Sequence, residues 1–232
     1  MKELNLLFGA SIMLLSGCGG VSTVPVNATT TATPGTIISY QFASTSDADL
    51  LNNAVHEGLC PNGTDCSTNL TNATIDFDFH DRSINNTVNN YTILYSTPGV
   101  LAENREVSGG VIIPNIPASQ LKGVVIYYHE TEVAKSEVPS CFHNSQATNY
   151  YCSSNDTQTY GEALGGIIAA QGYIVIMPDY IGLGYDNKVM HPYVLYPEVN
   201  ALSGLYMLQA ANTMLNKLGY SIKNKNLYLT GY

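Results

Sequence analysis

The sequence predicts an α/β fold in which antiparallel N-terminal strands lead into a parallel sheet covered by helices. Three observations predict it. Two continuous apolar runs, residues 124–128 and 173–177, have the composition of strands buried on both faces. Segments of helical character lie between and after them, so that from residue 124 the order is strand, helix, strand, helix, strand. Such alternation implies right-handed crossovers and a parallel sheet. Upstream, shorter strand-like runs are broken by Asn-rich and Pro-Gly turns, which suits antiparallel neighbours.

At 232 residues, with 45% hydrophobic and 12% charged side chains, the chain can bury one sizeable core. Its formal net charge of -9 repels phosphate backbones, and no Lys/Arg-rich run overrides this locally, which argues against nucleic acid as a partner.

Residues 1–17 read as an export signal: a short charged start, Met1-Lys2-Glu3, a mostly apolar stretch over 4–15, then the small residues Ser16 and Gly17. The apolar stretch is too short to span a bilayer. Leu15-Ser16-Gly17-Cys18 resembles the lipobox of bacterial lipoproteins, which implies acylation of Cys18 and attachment to a membrane through it. Residues 18–35, rich in Thr, Val, Ala and Pro and without a strand or helix period, read as a flexible tether, and residues 36–232 as the domain. Gly19 stands where lipoproteins retained at the inner membrane carry Asp, so the resemblance implies a lipid-anchored place in the bacterial envelope, at the outer membrane or cell surface.

With Cys18 assigned to lipid, Cys60, Cys66, Cys141 and Cys152 form an even set that permits three pairings. The local pairs Cys60 with Cys66 and Cys141 with Cys152 are favoured, because each closes a short loop of polar and turn residues of the kind oxidised outside the cytoplasm. A zinc site is the weaker reading: there is no C-x-x-C, and His56 and His143 lack ligand spacing, so no metal is expected.

Taken in order, residues 74–79, 92–95 and 106–113 read as strands, with turns at Asn85-Asn86, Asn89-Asn90 and Pro98-Gly99. Residues 158–171 have helical character and stop at Gly172, and Pro178 closes the strand over 173–177. Residues 198–218 form the clearest helix. Ala201, Leu205, Leu208, Ala211, Leu215 and Leu218 recur at helical spacing, Tyr206, Met207 and Met214 broaden the face, and Glu198 and Lys217-Leu218-Gly219 mark the two ends. Residues 226–230 then read as a third buried strand.

These pieces in this order carry a resemblance. A strand ending in His129-Glu130-Thr131, a helix, a strand ending in Pro178-Asp179-Tyr180-Ile181-Gly182-Leu183-Gly184, a long helix and a strand ending in Thr230-Gly231-Tyr232 look like the α/β-hydrolase fold up to its nucleophile elbow. The Pro-Asp-Tyr-x-Gly-x-Gly segment and His191-Pro192-Tyr193 resemble secretory lipases and esterases, over residues 105–232. The resemblance implies an incomplete α/β-hydrolase fold and an exported, cofactor-free hydrolase of ester or lipid substrates. Its Ser-Asp/Glu-His triad would lie beyond residue 232, with the serine just after Tyr232. No catalytic residue is therefore expected within the chain, and residues 1–232 are expected to be inactive. Ser221 follows a Gly but precedes a strand, and Ser203 lies inside a helix without flanking glycines, so neither fits an elbow.

By the same resemblance His129 and Thr131 are oxyanion-hole candidates, although Glu130 stands where such enzymes usually carry Gly. Asp179, His191 and Tyr193 are substrate-pocket candidates. Two other functions fit the same residues: a non-catalytic surface lipoprotein that uses this fold as a binding module, and an exported peptidase of the α/β-hydrolase fold.

Overall fold

A computed structural model describes residues 32–51, 84–132, 134–143, 145–146, 149–152, 160–191 and 195–231. The expected export signal with Cys18, the strand over 74–79, the pair Cys60 and Cys66, and Tyr193 lie outside the described residues.

The described strands are β1 (Ile37–Ser46), β2 (Val88–Pro98), β3 (Asn104–Pro114), β4 (Gly123–Tyr128), β5 (Tyr173–Pro178) and β6 (Asn226–Gly231); the helices are α1 (Tyr160–Ala170) and α2 (Pro197–Lys217). The six strands form one sheet in the order β1-β2-β3-β5-β4-β6. β1, β2, β3 and β5 pair antiparallel in succession, and β4 runs parallel to both β5 and β6. The expected change from antiparallel to parallel therefore falls at β5.

Alternation along the central strands builds two cores on opposite faces. Val124, Ile174, Ile176, Val107 and Val111 pack with Met207, Ala210, Ala211, Met214 and Leu215 of α2. Val125, Tyr127, Val175, Met177 and Ile112 pack with Ala169 and Ala170 of α1 and with Phe142. Side chains of period two sort the same strand to both helices, which is why these runs read as continuously apolar. At Gly109 and Gly110 of β3 both faces are approached closely. A Cβ on Gly109 would lie 2.7 Å from the Met177 carbonyl and 2.5 Å from the Met207 side chain, and one on Gly110 would lie 2.7 Å from the Pro139 carbonyl.

Several expectations are corrected. Asn89 and Asn90 are not a turn but lie within β2, where Asn90 is fully buried and donates to Ser44 Oγ at 3.0 Å and Ser46 Oγ at 2.9 Å of β1. Turn propensity of Asn gives way to a buried polar network that sequence spacing does not show. β1 itself was not foreseen; its Ser- and Thr-rich sequence and edge position leave it without a continuous apolar signature. The buried face of α2 is Val199, Ser203, Gly204, Met207, Ala210, Ala211, Met214 and Leu215, whereas Ala201 and Leu205 are exposed. Small residues Ser203 and Gly204 set the closest approach, with Gly204 against the Tyr128 ring, and this rotates the stripe away from Leu205. β6 is exposed along its length within this chain, not buried, because it is the edge strand beyond β4.

The turn after β5 is tied back to the sheet by charge. Arg105 of β3 donates from Nε to Asp186 Oδ2 at 2.8 Å and from its terminal nitrogen to Asp186 Oδ1, a bidentate pair on the 3-10 turn Gly184–Asp186. Replacing Arg105 with Ala leaves the nearly buried Asp186 carboxylate without its counter-charge. We expect a loss of about 2 kcal/mol in urea unfolding, with Arg105→Lys recovering less than half because an ammonium cannot make the fork.

Candidate active-site cleft

β4, β5 and β6 all end at the same sheet edge, and the segments leaving β4 and β5 converge there. The register places Gly231 of β6 directly beside Tyr128 of β4. A cleft of about 420 Å³ opens at this edge. Its walls are Tyr128 to Thr131 at the end of β4, Tyr180 and His191 from the segment after β5, and Pro197, Asn200 and Ala201 from the first turns of α2, with Gly231 at the end of β6. The carboxyl edge of parallel strands is where an α/β sheet places its ligands.

The wall is held by an aromatic stack. His129 and Tyr180 face each other with ring centroids 4.2 Å apart, and Tyr180 continues to His191 at 5.7 Å, both pairs within 23° of parallel. Tyr180 also donates its hydroxyl to the His129 carbonyl at 3.1 Å. Its backbone sits at φ 68°, a left-handed conformation that costs a bulky residue about 1–2 kcal/mol. The stack and the hydroxyl bond hold it there. Tyr128 completes the wall by donating to the Ala201 carbonyl of α2 at 3.0 Å.

Both imidazoles are kept neutral. Burial pulls His129 below its ordinary value, only partly opposed by the Glu130 and Asp179 backbone carbonyls near its ring, and burial likewise lowers His191 against the pull of the Ile181 carbonyl. His129 Nδ1 lies 2.7 Å from the Glu130 carbonyl, so the neutral ring carries its proton there; His191 Nδ1 lies 2.6 Å from the Ile181 carbonyl in the same way. Burial also raises the phenols of Tyr128 and Tyr180. At neutral pH the imidazoles and phenols of this wall are uncharged.

Of the expected site residues, His129, Thr131 and His191 line the cleft together. Asp179 is not among the residues that line it. It is fully buried and works as a hub beneath the loop: Oδ1 accepts the Ser140 N–H at 2.9 Å, and Oδ2 accepts the hydroxyls of Ser108, at 2.5 Å, and Ser140. Glu130 occupies its position without a positive φ and takes a 3.3 Å hydrogen bond from the Tyr127 hydroxyl, so this segment does not call on the freedom of Gly. Neither Ser203 nor Ser221 lines the cleft: Ser203 is buried in α2 and donates to the Asn200 carbonyl at 2.7 Å, behind the wall, and Ser221 lies in the connection before β6. Cys141 and Cys152 are bridged, which removes both from any zinc site. Tyr180 is the residue that sequence reasoning passed over, since nothing in the composition around it marks a left-handed tyrosine.

Sheet order, the two helical layers and a cleft at the carboxyl ends of β4, β5 and β6 define the α/β-hydrolase fold. Solved structures share it. A proposed hydrolase from Legionella pneumophila subsp. pneumophila superposes with a TM-score of 0.59 at 26% identity, over 84% of this chain and 43% of that one. The rice cell wall degrading esterase LipA from Xanthomonas oryzae, in a ligand-bound form, gives a TM-score of 0.60 at 21% identity, over 87% of this chain and 43% of its own. The chain thus spans under half the length of these structures. No model of a known protein family matches it, and no curated protein does.

Proposed function

We propose that the cleft is part of the active site of a serine hydrolase of carboxylic esters, of lipase or esterase type, whose nucleophile follows Tyr232. The observation that carries this reading is the place of Gly231. It ends a strand, lies beside Tyr128 in the cleft lining, and stands where a Gly-x-Ser-x-Gly elbow would carry its first Gly, with a strand-to-helix turn lifting the hydroxyl clear of the sheet. A serine two residues on would stand against the His129–Thr131 segment. Its oxygen would attack the ester carbonyl carbon, a His from later in the chain would take the proton, and backbone N–H groups near Thr131 would receive the charge forming on the carbonyl oxygen.

The uncharged histidines and phenols of the wall suit a neutral ester and offer no counter-charge to an anionic substrate. Export and anchoring belong to the same proposal, with acylated Cys18 and the 18–35 tether holding the domain at the outer membrane or cell surface. The test is hydrolysis of p-nitrophenyl butyrate by the product of the whole gene and by residues 1–232 alone. The first is expected to turn over and the second to stay at the uncatalysed rate. Turnover by residues 1–232 would overturn the elbow, and a gene product with no serine after Tyr232 would favour the binding module.

A further inference from the structure

A second concavity, of about 120 Å³, lies over β1 and β2 and shares no lining residue with the cleft. Its aromatic wall is a triangle of three tyrosines. Tyr150 and Tyr151 meet edge to face at 5.5 Å, Tyr150 and Tyr185 lie 6.0 Å apart at 63°, and Tyr151 and Tyr185 lie 6.4 Å apart at 89°. Two corners are fixed. The Tyr151 hydroxyl is 3.1 Å from Ser140 Oγ, and the Tyr185 N–H donates to Ser108 Oγ at 2.9 Å, so both rest on the Asp179 hub. The Cys141–Cys152 bridge closes the loop that carries Tyr150 and Tyr151. Tyr150, by contrast, is 67% exposed and meets the fold through the edges of Tyr151 and Tyr185, which leaves much of its ring open to solvent.

The floor and far wall are uncharged and largely polar, with Gln41 and Ser39 of β1, Thr92 of β2, Ser108 of β3 and Asn149 beside the apolar Ile93 and Leu94 of β2. Asn149 spends its Nδ2 on Thr92 Oγ1 at 3.1 Å and the Ser140 carbonyl at 3.3 Å, which turns its Oδ1 into an acceptor for something else. Gln41 is exposed and adds a donor and an acceptor side by side. Among the described residues no Lys, Arg, Asp or Glu lines the concavity, so these residues offer no charge to a phosphate, a carboxylate or a metal ion. An acyl chain would bury these amides and hydroxyls without partners.

We propose that this concavity is a binding subsite for a neutral carbohydrate, with a sugar ring laid against Tyr150 and Tyr185 and its hydroxyls shared between Gln41 and Asn149. A sugar ring presents an apolar C–H face and a rim of hydroxyls that both donate and accept. That pairing matches ring faces of negative quadrupole beside amides with free donors and acceptors. The wall is assembled before the ligand arrives, so little ordering is required on binding.

Saturation-transfer NMR on the disulfide-bonded chain, with cellotetraose and xylotetraose as neutral probes and trigalacturonate as an acidic one, tests this. Transfer is expected to at least one neutral probe, with a Kd on the order of millimolar, and not to the acidic one. Tyr150→Ala and Gln41→Ala remove exposed side chains and should leave the melting temperature unchanged while weakening the neutral probe about tenfold. No transfer to either neutral probe, equal transfer in both variants, or binding confined to trigalacturonate would overturn the subsite. So would competition by an extended peptide that pairs along β1. Ester hydrolysis plays no part in this readout, so either proposal can fail alone.

Discussion

Replacing Asp179 with Ala is expected to destabilise the domain by about 4 kcal/mol at pH 5, measured by urea unfolding. The carboxyl is fully buried and receives three hydrogen bonds, from the Ser108 hydroxyl and from both the N–H and the hydroxyl of Ser140. Truncation strands a buried backbone N–H and two hydroxyls, each worth about 1–3 kcal/mol when left unpaired, and opens a void that cannot collapse around a β-strand end. Asp179→Asn keeps the volume and part of the hydrogen bonding that Ala removes. Its Oδ1 still accepts from Ser140, its amide nitrogen can donate to hydroxyls that rotate to receive it, and we expect a loss of about 1 kcal/mol. Equal losses in the two variants would show that neither the volume nor the hydrogen bonds kept by Asn support the hub, and would contradict this account. The same change should loosen the tyrosine triangle, because Tyr151 and Tyr185 rest on Ser140 and Ser108.

Glu162→Gln should make the protein more stable at pH 8, by about 3 kcal/mol, while changing little at pH 5. Glu162 sits in the first turn of α1, only 1% exposed, and accepts the His143 N–H at 2.7 Å and the Ser46 hydroxyl at 3.3 Å. Burial raises its pKa to about 7, against the lowering effect of those two bonds, and burial raises Asp179 to about 6 against its own. In the unfolded chain both carboxyls titrate near 4. Between these values the folded state holds protons that the unfolded state has released, so stability falls as pH rises, by about 3 kcal/mol for each group once its folded pKa is passed. Lowered His129 and His191 act in the opposite sense, below the ordinary histidine value, which is why the comparison is made against a variant and not against pH alone. Gln reproduces the shape of a protonated Glu at every pH. For a domain of this size the gain at pH 8 is about 6–12 °C in melting temperature. A variant less stable than the parent at both pH values would contradict the burial of charge at this site.

Much of the architecture was legible because hydrophobic period and turn chemistry agree. Residues 124–128 and 173–177 announce strands buried on both faces, and β4 and β5 occupy those positions within a residue of the reading. Where polar side chains form the core, the sequence misleads. Asn90, Ser44, Ser46 and Glu162 look like turn and surface residues, yet they meet across β1, β2 and α1, and each is buried because another is its partner. Such partnerships arise from residues 44 to 116 positions apart, beyond the reach of local pattern. The cleft was half legible. Strand ends at His129 and Gly231 follow from the order of elements, but the φ of Tyr180 and the removal of Asp179 beneath the surface depend on packing that no local signal encodes.

The most direct measurement is labelling of the whole gene product with a fluorophosphonate probe, followed by mass spectrometry of the modified peptide. The account predicts one modified serine, the residue that follows Leu229-Thr230-Gly231-Tyr232, with labelling lost when that serine is changed to Ala. Modification of Ser203, Ser221 or any other serine within residues 1–232, or no modification of an otherwise folded product, would contradict it.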